Sequence, residues 1–241
     1  MQHGGKQEAL DSQEQLFLSL AEQLTRPLLQ ISQLAELGVA DDPKAAQMHW
    51  TMVQLVSRTS LQLAESYALR LRLQGKAALL KLEPVTVSSL LYDTAQTLQP
   101  FARQYGVLLE LDPGPRMQPI LADRTVLQAA MTSLGQAFVL GQSEDDESNV
   151  VRLSAHRSRY GVVAGLYSNT LQLGREDLRR AQGFEGRAHE PLQRLTSGPA
   201  AGVFVADSLL STLAARLHVA RYRSLTGLAT TLQLSRQLQL V

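Results

Sequence analysis

The sequence predicts an α+β protein in which an antiparallel helical hairpin precedes an α/β sandwich. Three observations carry this. Apolar residues recur at three- and four-residue spacing from Phe17 to Ala35 and again from Met48 to Leu63, with turn residues between the two runs. At KLEPVTV, residues 81–87, helical spacing gives way to alternation around a proline. Beyond it, short strand-like runs are interleaved with helical ones, the order expected of one sheet with helices on one face.

Composition narrows the function classes. Of 241 residues, 23 are basic and 22 acidic, a balance that gives no electrostatic case for nucleic acid or an anionic membrane. There is no cysteine, which excludes disulfides and thiolate metal sites. No apolar run approaches the roughly 20 residues of a membrane span, and MQHGGKQEAL at the N-terminus lacks the apolar core of a signal peptide. The expectation is a cytoplasmic protein.

Residues 1–11 read as a tail, residues 12–81 as the hairpin and residues 82–241 as the sandwich. Asp11 or Ser12 can cap the first helix, since a short side-chain acceptor satisfies free amides of the first turn. Phe17, Leu20, Leu24, Leu28, Ile31 and Ala35 form its apolar face, Pro27 should kink it, and Gly38 ends it. Asp42 and Pro43 start a second helix, expected to run from Lys44 to about Leu80. Such a hairpin cannot bury its apolar surface alone. Pairing with a second copy gives a four-helix bundle; packing on its own C-terminal half is the alternative.

In the sandwich, Val85 and Val87 alternate as a strand. A helix over Ser88–Tyr105, a strand over Val107–Leu111 and a short extended piece over Ile120–Ala122 follow. Asp123–Leu140 is apolar on most faces and is therefore the central helix. GQSEDDESN is a loop. Val150–Ala155 and Gly161–Leu166 make a hairpin pair, Glu176–Ala181 a short helix, and residues 183–199 an irregular segment. A helix over Gly202–Leu217 and strands over Val219–Tyr222 and Leu228–Leu234 close the chain.

The stretch LFLSLAEQLTRPLLQI, residues 16–31, resembles the phosphoacceptor helix of sensor histidine kinases, which runs roughly F-x-x-x-x-S-H-E-L-R-T-P-L-x-x-I. Leu16, Leu24, Pro27, Leu28 and Ile31 fall in register. Glu22 stands at the histidine position and Gln23 at the acidic one. A carboxylate is a poor phosphoryl acceptor beside an imidazole. From Leu82 onward the order of elements is similar to the ATP-binding domain shared by histidine kinases, gyrase, Hsp90 and MutL. LEPVTVSSLLYDTAQTLQPFARQYGVLLELD and ILADRTVLQAAMTSLGQAF carry that likeness, with Asp123, Leu127, Met131 and Leu134 at scaffold positions.

The resemblance also identifies where nucleotide would be held, and those positions depart from the family. Ser133 and Ala137 occupy the asparagine positions that hold Mg²⁺ against phosphate; a methyl group cannot ligate a hard cation. Gln136 is an amide one residue away, but one residue is about 100° around a helix. Ser168, Thr170 and Gln172 stand where the family has D-x-G-x-G, whose aspartate accepts from adenine and whose glycines admit the nucleotide. A serine still accepts a hydrogen bond, more weakly than a carboxylate. The glycine-rich turn at a helix N-terminus reads Gly198-Pro199-Ala200-Ala201-Gly202, with two of three glycines kept and one amide donor removed by Pro199. In the lid between them, Arg187 or Arg194 can meet an anion or stay solvated.

Other residues are weighed beside these. His49 is an alternative phosphoacceptor, or a surface or interfacial histidine beside Trp50. Glu144–Glu147 is a charge run without the glycine turn of an EF-hand, and no metal site is expected. Glu22 and Arg26 are an i,i+4 pair worth a few tenths of a kcal/mol; alternatively the carboxylate imitates a charged phosphohistidine.

Together the residues imply a catalytically inactive, histidine-kinase-like homodimer without cofactor, acting as a protein-binding adaptor. Its partner surface is Glu22, Gln23, Thr25 and Arg26, the face that receives a response-regulator receiver domain in that family. With no room for a sensor domain or membrane span ahead of the hairpin, the input signal is expected from a partner. The alternative is a histidine phosphotransferase, or a kinase with residual ATP binding and another acceptor.

Overall fold

The structure is a computed structural model that describes residues 24–25, 28–36, 43–73, 79–115, 117–142, 149–169 and 199–235. The expected N-terminal tail, the Pro27 kink, the Asp42 cap, the charge run and the Glu176–Ala181 helix lie outside the described residues.

Residues 28–36 are helical (α1). The second helix, α2, spans Pro43–Leu73. Its described part ends short of the expected Leu80. Leu79 is a 3₁₀ residue, and residues 80–82 lead without regular structure into β1, Glu83–Val85. Val87 is not a strand residue. It opens α3, Val87–Gln104, because Thr86 adopts the extended conformation of an N-cap and Leu90 N–H reaches the Thr86 carbonyl at 3.1 Å. Gly106, at φ +65°, turns the chain out of α3, with Val107 N–H closing on the Ala102 carbonyl at 2.9 Å.

β2 (Leu108–Asp112) and β3 (Ile120–Ala122) lead to α4, Arg124–Leu140. Asp123 does two things at its start. One carboxylate oxygen accepts from Val126 N–H at 3.1 Å and caps the helix; the other accepts from Lys81 N–H at 2.9 Å and pins the lead from the hairpin. β4 (Val150–Ser158) and β5 (Gly161–Ser168) are longer than the expected pair. The closing helix, α5, is Pro199–Thr212, earlier than the expected Gly202–Leu217. Proline at a first helical position costs nothing there, and Leu217 is already in β6, Leu217–Tyr222. β7 is Leu225–Leu232.

The strands form two sheets rather than one. β1 and β3 pair antiparallel in a small sheet, and five strands run in the order β2-β4-β5-β7-β6, with only β2–β4 parallel. The helices cover one face. α4 is central: Leu127, Leu134 and Phe138 are fully buried between α5, α3 and the sheet. The lower half of α2 joins the same core, with Tyr67 and Leu73 in it and Arg70 Nε donating to Ser208 Oγ of α5.

The other face of the sheet is coiled. β2 and β6 are its opposite edges, yet Tyr222 O–H donates to Asp112 Oδ2 at 3.0 Å and Arg223 pairs with the same oxygen at 2.9 Å. Tyr222 also stacks on His156 at 5.8 Å and tilts against Tyr167 at 5.4 Å. Two corners of the sheet therefore meet across its outer face. Tyr167 is fully buried there, its hydroxyl without a hydrogen bond. Burial, with a smaller contribution from Tyr222, raises its phenol pKa to about 12.

Candidate functional site

Of the positions that the sequence marks for nucleotide, the described ones, Ser133, Ala137, Ser168 and Gly202, lie on or against α4. Ser133, Gln136 and Ala137 are all buried in it. α5 crosses α4 at that level, and Gly202 makes the crossing possible. A β-carbon on Gly202 would stand 2.6 Å from the Ser133 carbonyl oxygen and 3.0 Å from the Ala137 methyl. Helix backbone meets helix backbone here. Gly202 therefore lies inside the first turns of a helix rather than in a turn ahead of it.

Ser168 ends β5, and it is buried. Its hydroxyl donates to Gln142 Oε1 at 2.8 Å, and Gln142 Nε2 donates to the Phe138 carbonyl at 2.7 Å. The serine that stands for the adenine-binding aspartate thus holds the C-terminal end of α4. Gln142 was missed in the sequence because it lies 26 residues from Ser168 and belongs to no motif.

The structure brings Ser133, Ala137 and Gly202 together and places Ser168 one turn beyond them at the end of α4. Thr170, Gln172, Gly198, Arg187 and Arg194 lie outside the described residues. So do Glu22, Gln23 and Arg26 of the expected partner surface; Thr25 is helical and exposed. At the two described asparagine positions stand a buried hydroxyl, Ser133, and a buried methyl, Ala137. Neither side chain supplies the carboxamide oxygen that would ligate Mg²⁺ at these two positions.

Gln136 turns away from that crossing. Its Nε2 donates to Gln62 Oε1 of α2 at 3.3 Å. His49 is half-buried on α2, with Nδ1 buried and without a hydrogen bond, next to the exposed Trp50. Buried Asp207 of α5 accepts from Leu217 N–H at 2.8 Å and pairs with Arg216, which fixes the α5–β6 connection. No three histidine, aspartate or glutamate side chains cluster as metal ligands among the described residues. No described helix is long and apolar enough to cross a membrane.

Solved structures share this architecture. The histidine kinase AdeS of Acinetobacter baumannii matches over 89% of this chain and 96% of its own, at a TM-score of 0.54 and 12% identity. Full-length ShkA, in complex with AMPPNP, matches over 92% of this chain and 46% of its own, at 0.55 and 17%. A bacterial phosphotransferase matches over 92% of this chain and 96% of its own, at 0.53 and 10%. No family model and no curated protein matches the sequence. The chain has a histidine-kinase-like fold, a helical part followed by an ATPase-type α/β domain.

Proposed function

We propose that this protein is a catalytically inactive, histidine-kinase-like adaptor, dimeric through its hairpin and working in bacterial signal transduction in the cytoplasm. The observation that carries the reading is the α4–α5 crossing: Gly202 sits against Ser133 and Ala137 where the family holds Mg²⁺ and phosphate. Ser168 adds to it, since its hydroxyl is already bonded to Gln142. Dimerisation is supported by Leu28, Leu29, Met48 and Trp50, each more than half exposed. The proposed partner surface is Glu22, Gln23, Thr25 and Arg26, and the proposed partner is a receiver domain or another signalling protein using the same groove.

A second reading, histidine phosphotransfer, is favoured by His49. Its unbonded Nδ1 leaves the imidazole's hydrogen bonding open, and one protein of like fold is a phosphotransferase. Calorimetric titration with a non-hydrolysable ATP analogue and Mg²⁺ tests the first reading. Silence up to millimolar nucleotide is the expected outcome, and micromolar binding overturns it. With a receiver domain as titrant, Arg26→Glu should weaken binding while His49→Ala leaves it unchanged.

A further inference from the structure

A cleft of about 420 Å³ opens where the hairpin meets the sandwich. Leu55 and Leu61 of α2 and Leu98 and Phe101 of α3 form its apolar walls, and Arg58 and Glu65 stand along it on α2. Gln62 and Gln136 also line it, bonded to each other by a single hydrogen bond. That bond uses one N–H of Gln136 and the oxygen of Gln62. Among the described residues, Gln136 Oε1 and Gln62 Nε2 have no partner.

A third polar group comes from the backbone. Pro100 lies inside α3 and has no N–H for the carbonyl of Gln96, four residues back. Both residues line the cleft. The cleft thus offers an amide donor, an amide acceptor and a freed carbonyl against an apolar wall. The one cation and one anion along it balance. Its size is that of a small-molecule site, and junctions between structural units are where such sites concentrate.

We propose that this cleft binds a small neutral molecule with an apolar body and a primary amide. The ligand's two N–H groups donate to Gln136 Oε1 and the Gln96 carbonyl, and its carbonyl accepts from Gln62 Nε2. Bound there, it bridges α2 and α3 and ties the hairpin to the sandwich. The inference does not rest on the adaptor reading, since no residue of the α4–α5 crossing or the hairpin partner surface takes part.

The test is an NMR titration of the full chain with benzamide, with toluene and benzoate as comparators. Benzamide should shift the side-chain amide signals of Gln62 and Gln136 together with backbone signals of residues 96–101. Gln136→Met should weaken that binding about tenfold, the worth of one lost buried hydrogen bond. If Gln136→Met does not fold, half-exposed Gln62→Met carries the same expectation. The proposal is overturned by the absence of shifts, by shifts elsewhere, by equal binding of toluene or benzoate, or by undiminished binding to a folded variant.

Discussion

Tyr167 shows how a single side chain links sequence, burial and pH. The run Gly161–Leu166 is legible as a strand, but its extension to Tyr167 and Ser168 and the burial of both its faces are not. This strand is buried on both faces, because the sheet coils until Tyr222 reaches Asp112 over the outer one. The Tyr167 phenol therefore ionises near 12 in the folded chain, against about 10 when unfolded. A raised pKa on a group that is neutral when protonated favours the fold below the unfolded value. The unfolded chain loses this proton first, so stability falls between pH 10 and pH 12. Tyr167→Phe should remove this part of the loss. It also deletes an unbonded buried hydroxyl, so the variant should be at least as stable as the parent at pH 7. Urea titrations at pH 8 and pH 11 read both effects; an unchanged difference between the two proteins at the two pH values counts against the assignment. Ser168 teaches the same limit: its position in a motif was readable, its bond to Gln142 was not.

The interiors of the elements were more legible than their ends. α4 was readable as the central helix because it is apolar on most faces, while Asp123, read as its first residue, is its N-cap. The errors fall at boundaries where the competing signal is weak. Val87 continues an alternating pattern yet belongs to α3, because Thr86 supplies the extended residue that starts a helix. Leu217 continues the apolar period of α5 yet begins β6, because Ala214 takes a positive φ of 54° and Ala215 N–H turns back to Leu210. α5 itself begins at Pro199, so the glycine of an apparent phosphate turn became a helix-crossing residue. That change is testable. Alanine improves helix propensity over glycine by about 1 kcal/mol, but at residue 202 its methyl meets the Ser133 carbonyl oxygen at 2.6 Å. Overpacking of this kind costs about 1–3 kcal/mol. Gly202→Ala should therefore be neutral to destabilising by about 2 kcal/mol in chemical denaturation. A clear gain in stability would mean that α5 stands away from α4.

At the scale of the whole molecule, the apolar stripe of α2 was readable and its partner was not. The sequence left open whether the hairpin packs on a second copy or on its own C-terminal half. For the lower part of α2 the structure shows the latter: Tyr67 is fully buried in the core that α4, α5 and the sheet share, and Arg70 and Gln62 reach Ser208 and Gln136. The upper part carries Met48 and Trp50, both exposed. Hairpin and sandwich are thereby coupled through one set of side chains. Truncating a fully buried aromatic costs about 3–5 kcal/mol, the lost transfer energy plus the cavity left behind. Tyr67→Ala should take that much from the unfolding free energy of the full chain. The loss should reach beyond the helix that carries it. Native-state hydrogen exchange should show protection falling together at amides of α2 and at Val163–Leu166 in β5, since a shared core opens as a unit. Protection lost along α2 alone, with β5 unchanged, would show that the hairpin and the sandwich fold independently.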